Sequence, residues 1–336
     1  MAEAAHPPRT ANEVLDWLEE GKLTPAEAFA MFRSLDGKER ASPRLHAARL
    51  RSQEAEPDLE ERRRERLAQV MRELDSLVGL SSVKELVREV QAFVEIQQRR
   101  SKARLATRPL ALHMIFKGNP GTGKTTVARI FGRMFEAMGV LSKGHLVECE
   151  RADLVGEYIG HTAQKTREKI KSALGGILFI DEAYSLARGG EKDFGKEAID
   201  TLVKSMEDHK DELVLILAGY RQEMAHFLQT NPGLRSRFPI HIDFPDYTTE
   251  ELLQIATLML DEREYKLTEA ARRRLVAILE AKAAANDPHL GNARFVRNLI
   301  ERAIRRQAVR LVRRRHVTRS DLLLITDADL PEVGSV

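Results

Sequence analysis

Phe116-Lys117-Gly118-Asn119-Pro120-Gly121-Thr122-Gly123-Lys124-Thr125-Thr126 is the stretch on which the fold of this chain turns. Gly118 to Thr125 match the spacing G-x-x-x-x-G-K-[S/T]. An apolar run, residues 113–117, precedes the match and an amphipathic stretch follows it, which is the strand-loop-helix context of a phosphate-binding loop. Glycines let backbone N–H groups turn inward around phosphate oxygens, and a helix N-terminus adds partial positive charge. Lys124 reaches the outer phosphates and Thr125 offers an oxygen to magnesium. The expected nucleotide-contacting set is Gly118, Asn119, Pro120, Gly121, Thr122, Gly123, Lys124, Thr125 and Thr126.

Downstream, short apolar runs at 146–150, 177–180, 213–218 and 240–244 alternate with helical patterns starting near Gly123, His161, Phe194 and Gln222. Such alternation predicts a parallel sheet covered by helices. After Pro245 only helical patterns remain, at 248–264, 268–285, 292–313 and briefly beyond Thr318, which puts a domain boundary near Asp246. Upstream, residues 12–35 read as two short helices, with Thr24 and Pro25 suited to a helix start. The expected organisation is an N-terminal helical pair for docking or assembly (1–37), a flexible linker (38–60), a charged helix with a helical lead-in (61–109), an α/β nucleotide-binding domain (110–246) and a helical lid (247–336).

A chain of 336 residues exceeds one typical core. Its 54 basic and 51 acidic residues leave a net charge of +3, too small an excess to argue for nucleic acid. The single cysteine, Cys149, excludes an intramolecular disulfide and fits a reducing compartment. Residues 1–10 lack the apolar core of a signal peptide, and the run 213–219 is far shorter than a membrane span, so a cytoplasmic protein without membrane contact is expected. A run of arginines, Arg302, Arg305, Arg306, Arg310, Arg313, Arg314 and Arg315, has no interleaved aromatics and reads as a solvated lid helix.

The run 177–180 ends in Asp181-Glu182. An acid pair alone also suits a helix cap. At the end of a later strand of the same sheet it lies beside the phosphate loop, where Asp181 can hold the hydration shell of magnesium and Glu182 can polarise an attacking water. The expected chemistry is phosphoryl transfer from ATP to water with Mg2+.

Gly118 to Thr125, Asp181-Glu182 and the run from Asp153 to Thr162 together resemble the AAA+ ATPases, in particular the subgroup containing red-type Rubisco activase and stage V sporulation protein K. Segments 116–128, 142–146, 150–153, 181–200 and 291–297 bring the resemblance closer to the sporulation branch, and it covers roughly residue 74 to the C-terminus. It implies an AAA+ core with a five-stranded parallel sheet covered by helices and a small all-helical lid; the helical N-terminal appendage, read from residues 12–35, lies outside it. It also implies that Tyr158-Ile159-Gly160 line the pore of a homo-hexameric ring and grip extended polypeptide. By itself Tyr158 reads equally as a surface tyrosine or a turn anchor. Residues 231–238 resemble the arginine-finger segment, with Arg237 the first choice and Arg235 the second, and Gly291-Asn292-Ala293-Arg294 resemble the sensor-two motif, with Arg294 toward the outermost phosphate. Where many of the family carry Asn or Thr as a first sensor this chain has Gly219-Tyr220, and neither is assigned that role. The implied function is ATP-dependent remodelling of a protein client in spore maturation; the alternatives are a Rubisco-activase-like remodeller and a nucleic-acid-associated ATPase.

Overall fold

The computed structural model describes residues 11–19, 22, 24, 28, 43–107, 111–158, 160–188, 193–230, 232–284 and 291–334. The chain divides into two units, Met1–Glu65 and Arg66–Val336. In the first, α1 (Ala11–Glu19) buries Val14, and the Lys22 N–H donates to Trp17 O at 2.8 Å. The expected second helix of the pair falls outside the described residues, except for Ala28, whose N–H donates to Thr24 O at 2.9 Å.

Helix α2 (Pro43–Ser76) begins in the first unit, and its residues from Arg66 onward belong to the second. This corrects the flexible linker expected over 38–60, since the chain is helical from Pro43. Pro43 occupies the first helical position, where a missing N–H costs nothing, and Ala, Leu, Arg, Gln and Glu dominate the next turns. A stretch with few periodic apolar residues is still helical when strong helix formers fill it. The helix continues through Pro57 with the loss of one backbone hydrogen bond.

In the second unit α3 (Ser81–Lys102) leads to β1 (Met114–Gly118), α4 (Lys124–Ala137), β2 (Leu146–Cys149), α5 (Arg151–Leu154), α6 (His161–Ala173), β3 (Gly176–Ile180) and a 3-10 turn at Ala183–Ala187. There follow α7 (Gly195–Asp208), β4 (Leu213–Gly219), α8 (Arg221–Thr230), α9 (Pro232–Arg237) and β5 (Ile240–Phe244). The five strands pair in parallel, as expected, and their order is β2-β3-β4-β1-β5. Every residue of β3 and β4 is buried, because helices cover both faces. Alternate residues serve the two faces. Met114, Phe116 and Phe179 pack with Phe131 and Phe135 of α4, while Ile115, Leu178 and Leu215 pack with Ile199 and Leu202 of α7. Phe116 alone has ring neighbours in Phe131, Phe179 and Phe244 at 6.2, 6.4 and 5.0 Å. Each such buried side chain contributes roughly 1.5–3 kcal/mol of transfer free energy.

The lid follows as α10 (Thr249–Asp261), β6 (Lys266–Leu267), α11 (Glu269–Ala284), α12 (Asn292–Val312), α13 (Arg319–Leu323) and β7 (Leu324–Ile325). A reciprocal cap starts α10: Glu251 N–H donates to Thr248 Oγ1 at 3.2 Å and Thr248 N–H to Glu251 Oε2 at 2.8 Å. Leu252, Ala256, Leu275, Val296 and Leu299 form the lid's own core. The short parallel pair β6–β7 adds to the helices expected there. Among the described residues no helix is long and apolar enough to cross a membrane.

Candidate nucleotide site

Parallel strands send the loops after β1, β3 and β4 to the same edge of the sheet, and β4 lies between β1 and β3. A cleft of about 280 Å3 opens there, lined by residues from all three loops and from the start of α12. The phosphate loop contributes Gly118, Pro120, Gly121, Gly123, Lys124, Thr125 and Thr126. Gly123, with φ 95°, precedes the first helical residue Lys124, a left-handed conformation that favours glycine. Lys124 Nζ donates to Gly118 O at 2.9 Å and Asn119 O at 2.8 Å. Burial lowers the Lys124 ammonium below its usual pKa; Asp181 opposes this, and Arg294 adds to it.

Asp181 and Glu182 leave β3 into the same cleft. The Asp181 N–H donates to Cys149 O at 3.0 Å, and Asp181 Oδ1 accepts the Glu182 N–H at 2.9 Å. Glu182 has φ 47°, uncommon for a residue with a side chain, and is solvent-exposed at the cleft. Gly219 and Tyr220, at the end of β4, also line the cleft. A Cβ on Gly219 would lie 2.7 Å from the Tyr184 ring, so the side chains of Asn or Thr do not fit this backbone position without a shift of Tyr184.

The lid meets the loop directly. Ala293 N–H donates to Gly121 O at 3.1 Å, and a Cβ on Gly121 (φ 74°) would lie 2.3 Å from Gly291 O, so only glycine admits this approach. Asn292, fully buried, bonds Asp246 Oδ1 at 2.7 Å and accepts the Tyr247 N–H at 3.0 Å. Arg294 and Arg297, one helical turn apart, face the cleft. Sequence reasoning passed over Arg297, although its spacing from Arg294 was a usable signal, and over Asp246 and Tyr247, which it read only as a domain boundary. Cys149 is buried, and burial pushes its thiol up to about 12, so it is an inert core group.

Other singled-out residues lie elsewhere. Arg237 donates through Nε to Glu207 Oε1 at 3.1 Å and through a terminal nitrogen to Gly233 O at 3.0 Å, while Arg235 is exposed; neither lines its own chain's cleft. Tyr158 is 66% exposed in the segment between α5 and α6, its ring edge-on to His161 at 5.5 Å, and Gly160 has φ 84°. Ile159 lies outside the described residues. Of the C-terminal arginines, Arg306 donates to Leu330 O at 3.0 Å, Arg310 to Asp329 at 2.8 and 2.7 Å, and Arg314 to Asp321 at 2.7 Å. These three serve the lid's own structure.

The family described as ATPase family associated with various cellular activities (AAA) matches residues 114–246, and the AAA lid domain family matches residues 248–335. The chain is 58% identical over 265 residues to stage V sporulation protein K of Bacillus subtilis, covering 79% of this chain and 82% of that protein. It is 51% identical over 245 residues to protein CbbX of Cereibacter sphaeroides, covering 72% and 79%. Over 268 residues it is 45% identical to the chloroplastic ribulose bisphosphate carboxylase/oxygenase activase of Cyanidioschyzon merolae, covering 79% and 91%. Among solved structures, the FIGL-1 AAA domain aligns with a TM-score of 0.52 at 20% identity, over 76% of this chain and 80% of that one, which shows a shared fold. The chain belongs to the AAA+ ATPases, carries their nucleotide-binding domain followed by their lid, and is an ATP hydrolase.

Proposed function

We propose that this protein is a ring-forming remodeller of protein clients that hydrolyses ATP at the interfaces between its subunits. The observation that carries this reading is the separation of roles in space: Lys124, Asp181, Glu182 and Arg294 converge on one cleft, whereas Arg237 and Tyr158 project elsewhere. In this reading residues Gly118 to Thr126 cradle the phosphates, with Lys124 and Arg294 on the outer ones. Glu182 holds the attacking water, and Arg237 of a neighbouring chain, with Arg235 as the second choice, meets the transferred phosphoryl group. Thr125 and Asp181 offer oxygen donors only, which suits Mg2+, a hard cation that takes few protein ligands and completes its shell with water and phosphate. When bound, that ion neutralises charge on the outer phosphates.

Tyr158, with Ile159 and Gly160, is the client-gripping loop of a homo-hexamer. An exposed ring offers large contact area at low entropy cost, without sequence-specific hydrogen bonds. The process served is spore maturation, supported by the 58% identity to stage V sporulation protein K, and the compartment is the cytoplasm. A Rubisco-activase-like role is the second reading, favoured by the 51% identity to CbbX. A Glu182→Gln chain, loaded with ATP, should retain its client during purification from the source cells. Recovery of sporulation proteins supports the first reading and of carboxylase subunits the second; recovery of nucleic acid instead of protein contradicts both.

A further inference from the structure

Three segments distant in sequence meet at one carboxylate. Asn119 belongs to the phosphate loop, Asp246 to the junction after β5, and Asn292 opens the lid helix α12. Asn119 Nδ2 donates to Asp246 Oδ1 at 3.0 Å and Oδ2 at 2.9 Å, and Asn292 Nδ2 donates to Asp246 Oδ1 at 2.7 Å. A carboxylate has acceptor sites enough for both amides, and hydrogen bonds to a charged acceptor are stronger than neutral ones.

The Asn292 side chain also bonds the junction and the loop elsewhere. Its oxygen accepts the Tyr247 N–H at 3.0 Å, and its nitrogen also reaches Pro120 O at 3.4 Å. The residue is fully buried with φ 47°, a left-handed conformation that asparagine tolerates better than most side chains. Around it Ala293 N–H bonds Gly121 O at 3.1 Å and Tyr247 Oη bonds Thr122 O at 3.3 Å. Four successive loop residues, Asn119 to Thr122, are thus each tied to the junction or the lid. Arg294 stands two residues beyond Asn292 and lines the cleft.

We infer that Asp246 is a positioning residue for nucleotide binding: it couples the phosphate loop, through Asn119, to the lid, through Asn292, so that loop geometry sets where Arg294 stands. The inference rests on residues 118–126 being the nucleotide site. A carboxylate is needed because both groups presented to it are amide donors. An apolar residue at 246 would take away the acceptor that lies 2.7 Å from the buried Asn292 nitrogen. Loss of Asp246 removes this side-chain link between loop and lid and leaves the Ala293–Gly121 and Tyr247–Thr122 bonds.

The test is a double-mutant cycle on ATP and ADP affinity, measured by calorimetry on the full chain. Asn119→Ala removes one amide. Asn292→Gly removes the other while keeping the left-handed backbone accessible, and a thermal melt checks that each variant folds. In the presence of Asp246 each single change should weaken ATP about three- to tenfold, and the double change should cost well below the product of the two, because breaking either arm already uncouples the lid. In an Asp246→Ala background the two changes should become independent, and the preference for ATP over ADP should shift even where the melting temperature does not. Multiplicative effects in the presence of Asp246, or a coupling that survives Asp246→Ala, would overturn the inference. Should Asp246→Ala not fold, Asp246→Asn serves: one acceptor oxygen remains, and the coupling should shrink; an unchanged coupling overturns the inference. Absence of ATP binding by the wild-type chain contradicts the nucleotide site itself, a different outcome from intact binding without coupling.

Discussion

Arg237 is held by Glu207 of the same chain, its Nε donating to Glu207 Oε1 at 3.1 Å, and a terminal nitrogen bonding the same oxygen. About a third of the Arg237 side chain is exposed and more of Glu207, so the pair contributes at most about 1 kcal/mol. In the proposed ring, a tether this weak can be exchanged for a phosphate oxygen of the nucleotide held by a neighbouring chain. Glu207→Ala should therefore change ATP turnover by less than ~5-fold, whereas Arg237→Ala should lower it by ~10³ or more. Steady-state ATPase assays on the two variants check this, and equal losses would show that Glu207 does more than hold the guanidinium.

Lys124 and Glu182 share a cleft, and the proposed function divides its work between them. Lys124→Ala removes the cation that meets the phosphates and should abolish ATP binding. Glu182→Gln keeps the shape and loses only the water-polarising charge, so it should bind ATP normally and lose turnover by at least ~10²-fold. Titration calorimetry with ATP and magnesium distinguishes them; equal affinity in the two variants contradicts this division.

His113 gives the fold a pH dependence of known sign. It is 6% exposed, its Nδ1 accepts the Leu215 N–H at 3.0 Å, and burial pushes its pKa down to about 4 from 6.5. Above pH 6.5 the ring is neutral in both the folded and the unfolded chain, and its contribution is fully present. Between 6.5 and 4 only the unfolded chain takes up the proton, so stability falls as the pH falls, by about 3 kcal/mol across the window. Urea unfolding at pH 7 and pH 4.5 should show a larger loss for wild type than for His113→Phe. The variant should start lower at pH 7, because the Leu215 N–H loses its acceptor. Identical pH slopes would contradict this account.

Tyr158 stands clear of the cleft, with its ring against His161. Tyr158→Ala should leave ATP affinity unchanged and basal hydrolysis within a few-fold, while removing stimulation by a protein client. Replacing Arg305 and Arg313 should not alter that stimulation. ATPase rates with and without client protein and nucleic acid decide the matter, and stimulation by nucleic acid that survives Tyr158→Ala would contradict the remodelling reading.

Much of this was legible in the sequence because its causes are local. The runs at 177–180 and 213–218 are apolar at nearly every position because both faces of β3 and β4 are covered, and the loop at Gly118–Thr125 has a fixed spacing because backbone groups must wrap a phosphate. Strand order was not legible: β4 sits between β1 and β3 by tertiary packing, and that insertion brings Gly219 and Tyr220 into the cleft. The clamp of Asn119, Asp246 and Asn292 joins residues from three separate segments of the chain, and no periodicity reports such a contact. The helix from Pro43 escaped notice for another reason: hydrophobic periodicity detects helices that pack, whereas this stretch is made of strong helix formers with few apolar residues.

The central claim is that hydrolysis takes its phosphate loop from one chain and its arginine from the next. Lys124→Ala chains and Arg237→Ala chains, each nearly inactive alone, should regain activity when mixed and allowed to exchange subunits. In equal proportion roughly a quarter of the interfaces of a head-to-tail ring then pair an intact cleft with an intact finger, so the mixture should approach a quarter of the wild-type rate. A mixture that stays at the sum of its inactive parts, with subunit exchange demonstrated by native mass spectrometry, would contradict the claim.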